Sequence, residues 1–152
     1  MALLGERLSP EQVGASRLIM GIDRDLIGDG TYFVVMDADR IVGCGGWSFR
    51  ATHYGGDHTP GRDPARLDPA HDAARIRAMY TDPDYARRGV GRLILSVCEQ
   101  AAATSGFGGA ELVATASGEP LYAACGYTVL ERFEDARGGT SVPLARMVKR
   151  LD

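Results

Sequence analysis

The chain has 152 residues, of which 45% are hydrophobic and 24% charged, a balance that excludes a disordered protein and predicts a single folded domain. The formal net charge of −3 argues against a general nucleic-acid-binding protein. Three cysteines without a Cys-x-x-Cys pair favour a reducing compartment and provide no disulfide framework or metal site. Because no apolar run has the length of a membrane span, we expect a soluble, cytoplasmic protein that contacts no membrane.

The first third of the chain is predicted to form two short helices and a β-hairpin. Ser9-Pro10 has the residue types of a helix start, and Ile22–Ile27 is a second short helix that ends at Gly28. Thr31–Met36 is rich in β-branched and aromatic residues, as strands are, and Arg40–Phe49 returns beside it as the partner strand. The glycines of this second strand predict bulges or close contacts; they are Gly43, Gly45 and Gly46.

Arg50–Asp72 is predicted to be a long loop, because it is rich in Gly, Pro, Asp and His and shows no sustained hydrophobic period. Loops of this length are uncommon inside a compact domain. Two interpretations carry equal weight: a functional segment, such as a substrate lid, and a passive surface insertion.

The rest of the chain alternates strands with helices. The predicted strands are Ala73–Thr81, Ala110–Ala116, Tyr127–Phe133 and Ser141–Lys149. Gly89–Ser105 is predicted to be an amphipathic helix because its apolar residues recur at i, i+3 and i+4, and Glu119–Cys125 a short helix with Pro120 near its start. This order of elements predicts an α/β fold of the α+β kind, with a mixed sheet flanked by helices.

The segment Ile76–Leu95, IRAMYTDPDYARRGVGRLIL, combines a strand, a basic turn with glycines and a helix start. The free N–H groups and the dipole of a helix N-terminus favour negative charge, and Arg87, Arg88 and Arg92 add positive charge there. The segment therefore predicts a pyrophosphate site. A Rossmann fingerprint is excluded because Ile94 stands where the third glycine is needed, and a Walker loop because no lysine follows the glycines.

This arrangement resembles the Gcn5-related N-acetyltransferases. Their Q/R-x-x-G-x-G/A motif corresponds here to Ala86-Arg87-Arg88-Gly89-Val90-Gly91, with Ala86 at a position that is usually Gln or Arg. Tyr122 and the later Gly126-Tyr127 stand where the family has a helix-borne tyrosine and a Gly-aromatic pair. The resemblance covers most of Thr31–Lys149 and is weakest in the first thirty residues.

The resemblance implies a central, mostly antiparallel sheet in which a splayed strand pair forms a slot for acyl-CoA. A bulge in the first of these strands would open the slot, and an N–H of the same strand could stabilise the oxyanion at the thioester carbonyl. The implied cosubstrate is acetyl-CoA. The implied cofactor-binding residues are Met79, Tyr80, Thr81, Arg87, Arg88, Gly89, Val90, Gly91 and Arg92.

The implied activity is N-acetyl transfer by direct attack of an amine, carried by a small molecule or a peptide. Tyr122 is the implied general acid, because a phenol is protonated at neutral pH and can donate to the leaving thiolate; a core tyrosine is its alternative interpretation. No general base is assigned, since a solvated or dipole-matched charge is the stronger interpretation for each candidate taken singly. The candidates are His53, His58, His71, Asp72 and Glu119.

Several alternatives stay open. Cys125 is a nucleophile only if the reaction passes through an acyl-enzyme, and nothing in the sequence indicates its activation. Trp47, Phe49 and Tyr54 are candidates for an acceptor pocket, with core packing as the stronger interpretation for the first two. The chain could also be a catalytically silent acyl-CoA-binding sensor, or an acyltransferase acting on a hydroxyl or on protein termini. No metal or nucleic acid is implied, and a homodimer is left open.

Overall fold

The computed structural model describes residues 24–51, 65–136 and 139–151, so the helix predicted at Ser9-Pro10 lies outside the described residues. The helices and strands of the described part are α1 Arg24–Asp29, β1 Tyr32–Asp37, β2 Arg40–Ser48, β3 Ala74–Thr81, a 3-10 helix Pro83–Tyr85, α2 Val90–Thr104, β4 Gly109–Thr115, α3 Glu119–Ala124, β5 Thr128–Asp135 and β6 Val142–Arg150. Most ends fall one or two residues from their predicted positions, as expected where helix and strand ends fray.

One sheet of six strands organises the described residues, in the order β1-β2-β3-β4-β6-β5. Only β3 and β4 run parallel, and the other neighbours are antiparallel. The predicted mixed, mostly antiparallel sheet flanked by helices is therefore confirmed. The prediction that the helix Ile22–Ile27 ends at Gly28 is wrong. Helix α1 continues to Asp29, and the residue that follows it in the left-handed conformation is Gly30, with φ 73°.

The main core lies between α2 and one face of the sheet. The helix buries an apolar stripe, and the facing strands contribute apolar residues of β2, β3, β4 and β6 at alternate positions. The central members are Trp47, Ile76, Ile94, Leu95, Cys98, Leu112 and Met147. Packing of this kind fixes α2 across the sheet, with its N-terminus beside the end of β3.

The glycines of β2 let α2 approach the sheet closely, as the sequence predicted. A Cβ atom on Gly45 would lie 2.7 Å from Cγ2 of the buried Ile94 and would also contact the side chain of Met79. Gly43 has the same role toward Val90 and Ile94. Small residues at these positions therefore set the distance between helix and sheet.

Gly45→Ala is expected to destabilise the protein by about 1–3 kcal/mol, because the added methyl group overfills this contact. Thermal unfolding should show a melting temperature lowered by several degrees. Gly28→Ala in α1 is the matched control, since no atom lies within 4 Å of its added Cβ, and it should leave the melting temperature unchanged or raised. Equal melting temperatures for Gly45→Ala and the wild type would contradict this account of the packing.

The predicted loop Arg50–Asp72 is more regular than expected at its described ends. The N–H of Ala51 donates to the carbonyl of Ala65 at 2.8 Å, and the N–H of Leu67 donates to the carbonyl of Phe49 at 2.7 Å, so one antiparallel bridge joins the two ends of the loop. Sequence periodicity cannot detect a single bridge of this kind. The intervening residues, with His53, Tyr54 and His58, lie outside the described residues.

Candidate active site

The parallel strands β3 and β4 are paired only at their beginnings. Ala74 lies opposite Ala110 and Arg75 opposite Glu111, and the ladder then stops although both strands continue. The remainder of β3, up to Thr81, therefore has one edge that is not paired with β4. This is the splayed strand pair that the family resemblance implied.

A β-bulge in β3 accounts for the divergence. Between the pairs Cys44–Tyr80 and Gly46–Arg77, β3 contains one more residue than β2. Ala78 lies in this stretch with φ 57°, an uncommon conformation for a residue with a side chain. A bulge bends and twists the strand that contains it, which turns the end of β3 away from β4.

A compact turn connects the end of β3 to α2. The Asp82 side chain accepts a hydrogen bond from the N–H of Asp84 at 2.9 Å and thereby begins the 3-10 helix Pro83–Tyr85. Arg87 follows with φ 62° and Gly89 with φ 84°, both in the left-handed region. A left-handed residue next to the right-handed first residue of a helix, as at Gly89 and Val90, is typical of backbone turns whose N–H groups point inward to an anion.

The N-terminus of α2 has no side-chain cap. Its first backbone hydrogen bond runs from the N–H of Leu93 to the carbonyl of Gly89 at 3.0 Å, so the N–H groups of Val90, Gly91 and Arg92 have no acceptor within the helix. Gly91 is buried, and a Cβ atom there would lie 2.6 Å from Leu121. Open donors at the start of a 15-residue helix fit a pyrophosphate group.

The residues predicted to bind the cofactor divide into two groups. Arg87, Arg88 and Arg92 are exposed around the turn, where the guanidinium of Arg88 stacks 4.7 Å from the centre of the Tyr85 ring. Met79 lies in the bulge of β3, with its side chain packed against the core, and Tyr80 and Thr81 follow the bulge. The Val90 side chain is buried, so only its backbone N–H is available to a ligand.

Tyr122 lies in α3, close to this unpaired part of β3. Its side chain is buried, with its ring edge-on to Tyr127 at 6.2 Å between centroids. Burial raises the pKa of the Tyr122 phenol, and the nearby phenol of Tyr80 raises that pKa further. The hydroxyl therefore stays protonated at neutral pH and is able to donate a proton.

Tyr127 differs from Tyr122 in having a charged partner for its hydroxyl. The hydroxyl donates a hydrogen bond to Glu99 at 2.9 Å, and Lys149 donates to the same carboxylate at 2.9 Å. Burial, reinforced by Glu99, raises the pKa of Tyr127. Because this proton is already held by a carboxylate, Tyr127 is a structural tyrosine.

The described base candidates are engaged elsewhere. Glu119 accepts two hydrogen bonds from Arg132, at 2.5 and 3.0 Å, and the guanidinium lowers the pKa of Glu119. Asp72 accepts a hydrogen bond from the N–H of Asp68 at 2.7 Å, while His71 pairs with the Asp68 carboxylate. Both precede the start of β3 and so lie at the opposite end of that strand from the turn.

The other candidate side chains have structural surroundings. Trp47 is buried in the core and lies edge-on to Phe107, and together with Phe49 it lines a groove of about 800 Å³ beside the C-terminal half of α2. That groove lies at the other end of α2 from the turn that precedes the helix. Cys125 caps the C-terminus of α3, and its N–H donates to the carbonyl of Leu121 at 3.0 Å.

Sequence analysis missed a buried charge network at the point where β3 and β4 part. Glu111 on β4 accepts hydrogen bonds from Arg75 on β3 and from Arg146 on β6. Arg146 also donates to Glu131 on β5 at 3.0 Å. The available signal was the presence of charged residues inside strands whose other positions are apolar.

Two further observations concern the described residues. No helix within 24–51, 65–136 or 139–151 combines the length and the apolar character needed to cross a bilayer. In the same ranges no three His, Cys, Asp or Glu side chains come together as they would around a metal ion.

Comparisons with known proteins agree with this geometry. A putative N-acetyltransferase from Lactobacillus plantarum has a TM-score of 0.58 at 21% identity, covering 95% of this chain and 94% of that one. The Chaetomium thermophilum Naa20, in complex with a bisubstrate analogue, has a TM-score of 0.63 at 17% identity, with 88% and 76% covered. The putative acetyltransferase yncA from Salmonella typhimurium, with its cofactor acetyl-CoA, has a TM-score of 0.59 at 18% identity, covering 80% of this chain and 64% of that one.

These structural likenesses establish the fold. A search of curated proteins found no significant match. The family model described as "Acetyltransferase (GNAT) domain" matches residues 28–129, which include β1 to α3, the splayed strands and the turn before α2. The chain therefore belongs to the Gcn5-related N-acetyltransferase superfamily.

Proposed function

We propose that this protein is an acetyl-CoA-dependent N-acetyltransferase that acts on the amine of a small molecule or a peptide. The observation that carries the proposal is the uncapped N-terminus of α2 beside the splayed end of β3. Family membership supports acetyl transfer in general. Coenzyme A in the neighbouring structures, such as yncA with acetyl-CoA, supports the choice of cosubstrate.

Each part of the site has a proposed role. Acetyl-CoA would supply an acetyl group activated as a thioester, together with a thiol leaving group. The N–H groups of Val90, Gly91 and Arg92 bind the pyrophosphate, and the backbone of β3 from Met79 to Thr81 binds the pantetheine arm by adding it as a further strand. Tyr122 donates the proton of its hydroxyl to the departing sulfur.

A thiol-release assay tests the proposal directly. Purified protein is given acetyl-CoA and a panel of primary amines, including peptides with free N-termini, and free thiol is followed with a chromogenic disulfide. Isothermal titration with CoA is run beside it. Amine-dependent thiol release with saturable CoA binding supports the proposal, whereas CoA binding without turnover on any amine favours a catalytically silent sensor, and release with alcohols alone indicates hydroxyl acceptors.

The pyrophosphate turn can be tested independently of the acceptor. Gly89→Ala is expected to weaken CoA binding about tenfold, because an L-residue at φ 84° costs about 1–2 kcal/mol and the turn relaxes away from its binding form. Gly108→Ala is the matched control, since no atom lies within 4 Å of its added Cβ and its φ is not positive. Unchanged CoA affinity in Gly89→Ala would show that the pyrophosphate does not bind at this turn.

A further inference from the structure

We propose that Arg40 and Asp37, at the tip of the β1–β2 hairpin, are positioning residues that hold the pyrophosphate turn in its binding form. This proposal rests on the proposed function, because it concerns the site for the same cosubstrate. Neither residue belongs to the motif that resembles the family signature. Together with Tyr85 they form a set of contacts that we call the hairpin clamp.

Arg40 connects the hairpin to the beginning of the turn. Its Nη2 atom donates to Oδ2 of Asp82 at 2.5 Å and to Oδ2 of Asp84 at 3.0 Å. Asp82 also accepts the N–H of Asp84 and so begins the 3-10 helix. One guanidinium therefore holds both carboxylates of the short helix that separates β3 from the arginines of the turn.

Tyr85 connects the hairpin to the end of the same turn. Its hydroxyl donates to Oδ2 of Asp37 at 2.5 Å. The guanidinium of Arg40 lies 5.3 Å from the centre of its ring, and the guanidinium of Arg88 lies 4.7 Å from it. Arg88 is thus positioned by a ring that the hairpin itself holds, since cation–π contacts favour a defined place for the cation.

The charges give this arrangement a second consequence. Asp82 and Asp84 are carboxylates beside a site that is expected to bind a polyanion, and their field opposes that binding. Arg40 pairs with both and cancels much of this field. Its loss would free the turn and expose two negative charges, and both effects weaken the binding of a pyrophosphate.

The clamp is on the surface, so its removal leaves the fold intact. The Arg40 side chain is 52% exposed and that of Asp84 75%, and exposed ion pairs contribute little to folding stability. A change in cofactor affinity without a change in melting temperature is therefore the signature of positioning.

The experiment measures Kd by isothermal titration for CoA and for dephospho-CoA, which lacks only the 3′-phosphate. Arg40→Ala should weaken both ligands by the same factor, about fivefold or more. Tyr85→Phe keeps the ring and removes the hydrogen bond to Asp37, and should give a smaller loss in the same direction. Arg40→Lys, which keeps the charge, should recover part of the affinity.

Arg132→Ala is the matched control, because the exposed Arg132 side chain pairs with Glu119 of α3 and not with a residue of the hairpin clamp. It should bind both ligands as the wild type does. With an amine that the wild type acetylates, Arg40→Ala should raise the KM for acetyl-CoA and leave kcat and the KM for the amine unchanged. General destabilisation of the fold would not change the KM for acetyl-CoA alone.

Three results would overturn the proposal. If Arg40→Ala and Tyr85→Phe bind CoA as tightly as the wild type, the clamp has no role in binding although the proposed function stands. If Arg40→Ala weakens the binding of CoA but not the binding of dephospho-CoA, Arg40 contacts the 3′-phosphate itself instead of positioning the turn. If the wild type binds neither ligand, the proposed function fails and the clamp fails with it.

Discussion

Tyr122→Phe is expected to lower kcat for acetyl transfer by about 10²–10⁴-fold, the usual contribution of a general acid, while CoA affinity changes little. The substitution removes one oxygen from a buried ring and leaves its packing against Tyr127 in place. Without the phenol, the departing sulfur leaves as a thiolate or takes its proton from water. The measurement is steady-state thiol release with a saturating amine, together with the Kd for CoA.

The dependence on pH follows from the direction of the pKa shift. Because burial raises the pKa of the Tyr122 phenol above its ordinary value near 10, the group keeps its proton throughout the range from pH 6 to pH 9. The acid form would be lost only as the pH rises above that ordinary value. The factor between wild type and Tyr122→Phe should therefore stay constant from pH 6 to pH 9.

Tyr127→Phe is the matched control for this prediction. It makes the same chemical change on the adjacent ring, but the hydroxyl it removes donates to Glu99. Its effect should appear in stability, through the loss of a part-buried hydrogen bond of about 1 kcal/mol, and not in kcat. A kcat for Tyr122→Phe within threefold of the wild type would show that the acid is another group, and that Tyr122 is a core tyrosine.

The strand, turn and helix around Ile76–Leu95 could be predicted from the sequence because their signals are local. A Pro after an Asp ends β3, glycine supplies the left-handed residue before α2, and the apolar period of α2 is readable along one segment. The mostly antiparallel sheet and the splay came instead from the resemblance, and both are confirmed. Membership of the family is confirmed as well.

Contacts between distant charged residues could not be predicted. Arg40 lies 42 residues from Asp82, and Arg75 lies 36 residues from Glu111. Arg40 and Asp82 are indistinguishable in the sequence from ordinary solvated charges. Arg75 and Glu111 stand inside otherwise apolar strands, which indicates buried charge but does not identify the partner. Only the fold brings each pair together. The sequence identifies neither the general base nor the residues that bind the acceptor, because such residues also come together only in the fold.

Glu111→Gln is expected to destabilise the protein by about 3–5 kcal/mol, because it leaves buried positive charge without its counter-charge. The side chains of Glu111 and Arg75 are only 7% and 11% exposed, and Glu111 accepts hydrogen bonds from both Arg75 and Arg146. Burial already lowers the pKa of Arg75, as expected for a cation in a poorly solvated place. Chemical denaturation of the wild type and the variant measures the loss.

The position of this network links stability to the slot. Arg75 and Glu111 form the last paired positions of β3 and β4 before the strands separate, so their ion pair fixes the point at which the slot begins. CoA affinity should fall in Glu111→Gln at temperatures where the variant is still folded. A variant with normal stability and weakened CoA binding would show that the pair acts on the slot alone.

Glu131→Gln is the matched control, because it makes the same chemical change at an exposed carboxylate that also pairs with Arg146. Glu131 makes the same kind of contact with Arg146, at 3.0 Å, but its side chain is 55% exposed. Exposed pairs contribute about 0–1 kcal/mol, so this variant should unfold almost as the wild type does and bind CoA equally well. The two variants would then differ by about 2–5 kcal/mol, because Glu111 is shielded from water and pairs with Arg75 as well as with Arg146, whereas Glu131 is exposed and pairs with Arg146. Equal losses in the two variants would mean that the charge at the base of the slot is solvated, and that its place between the strands is incidental.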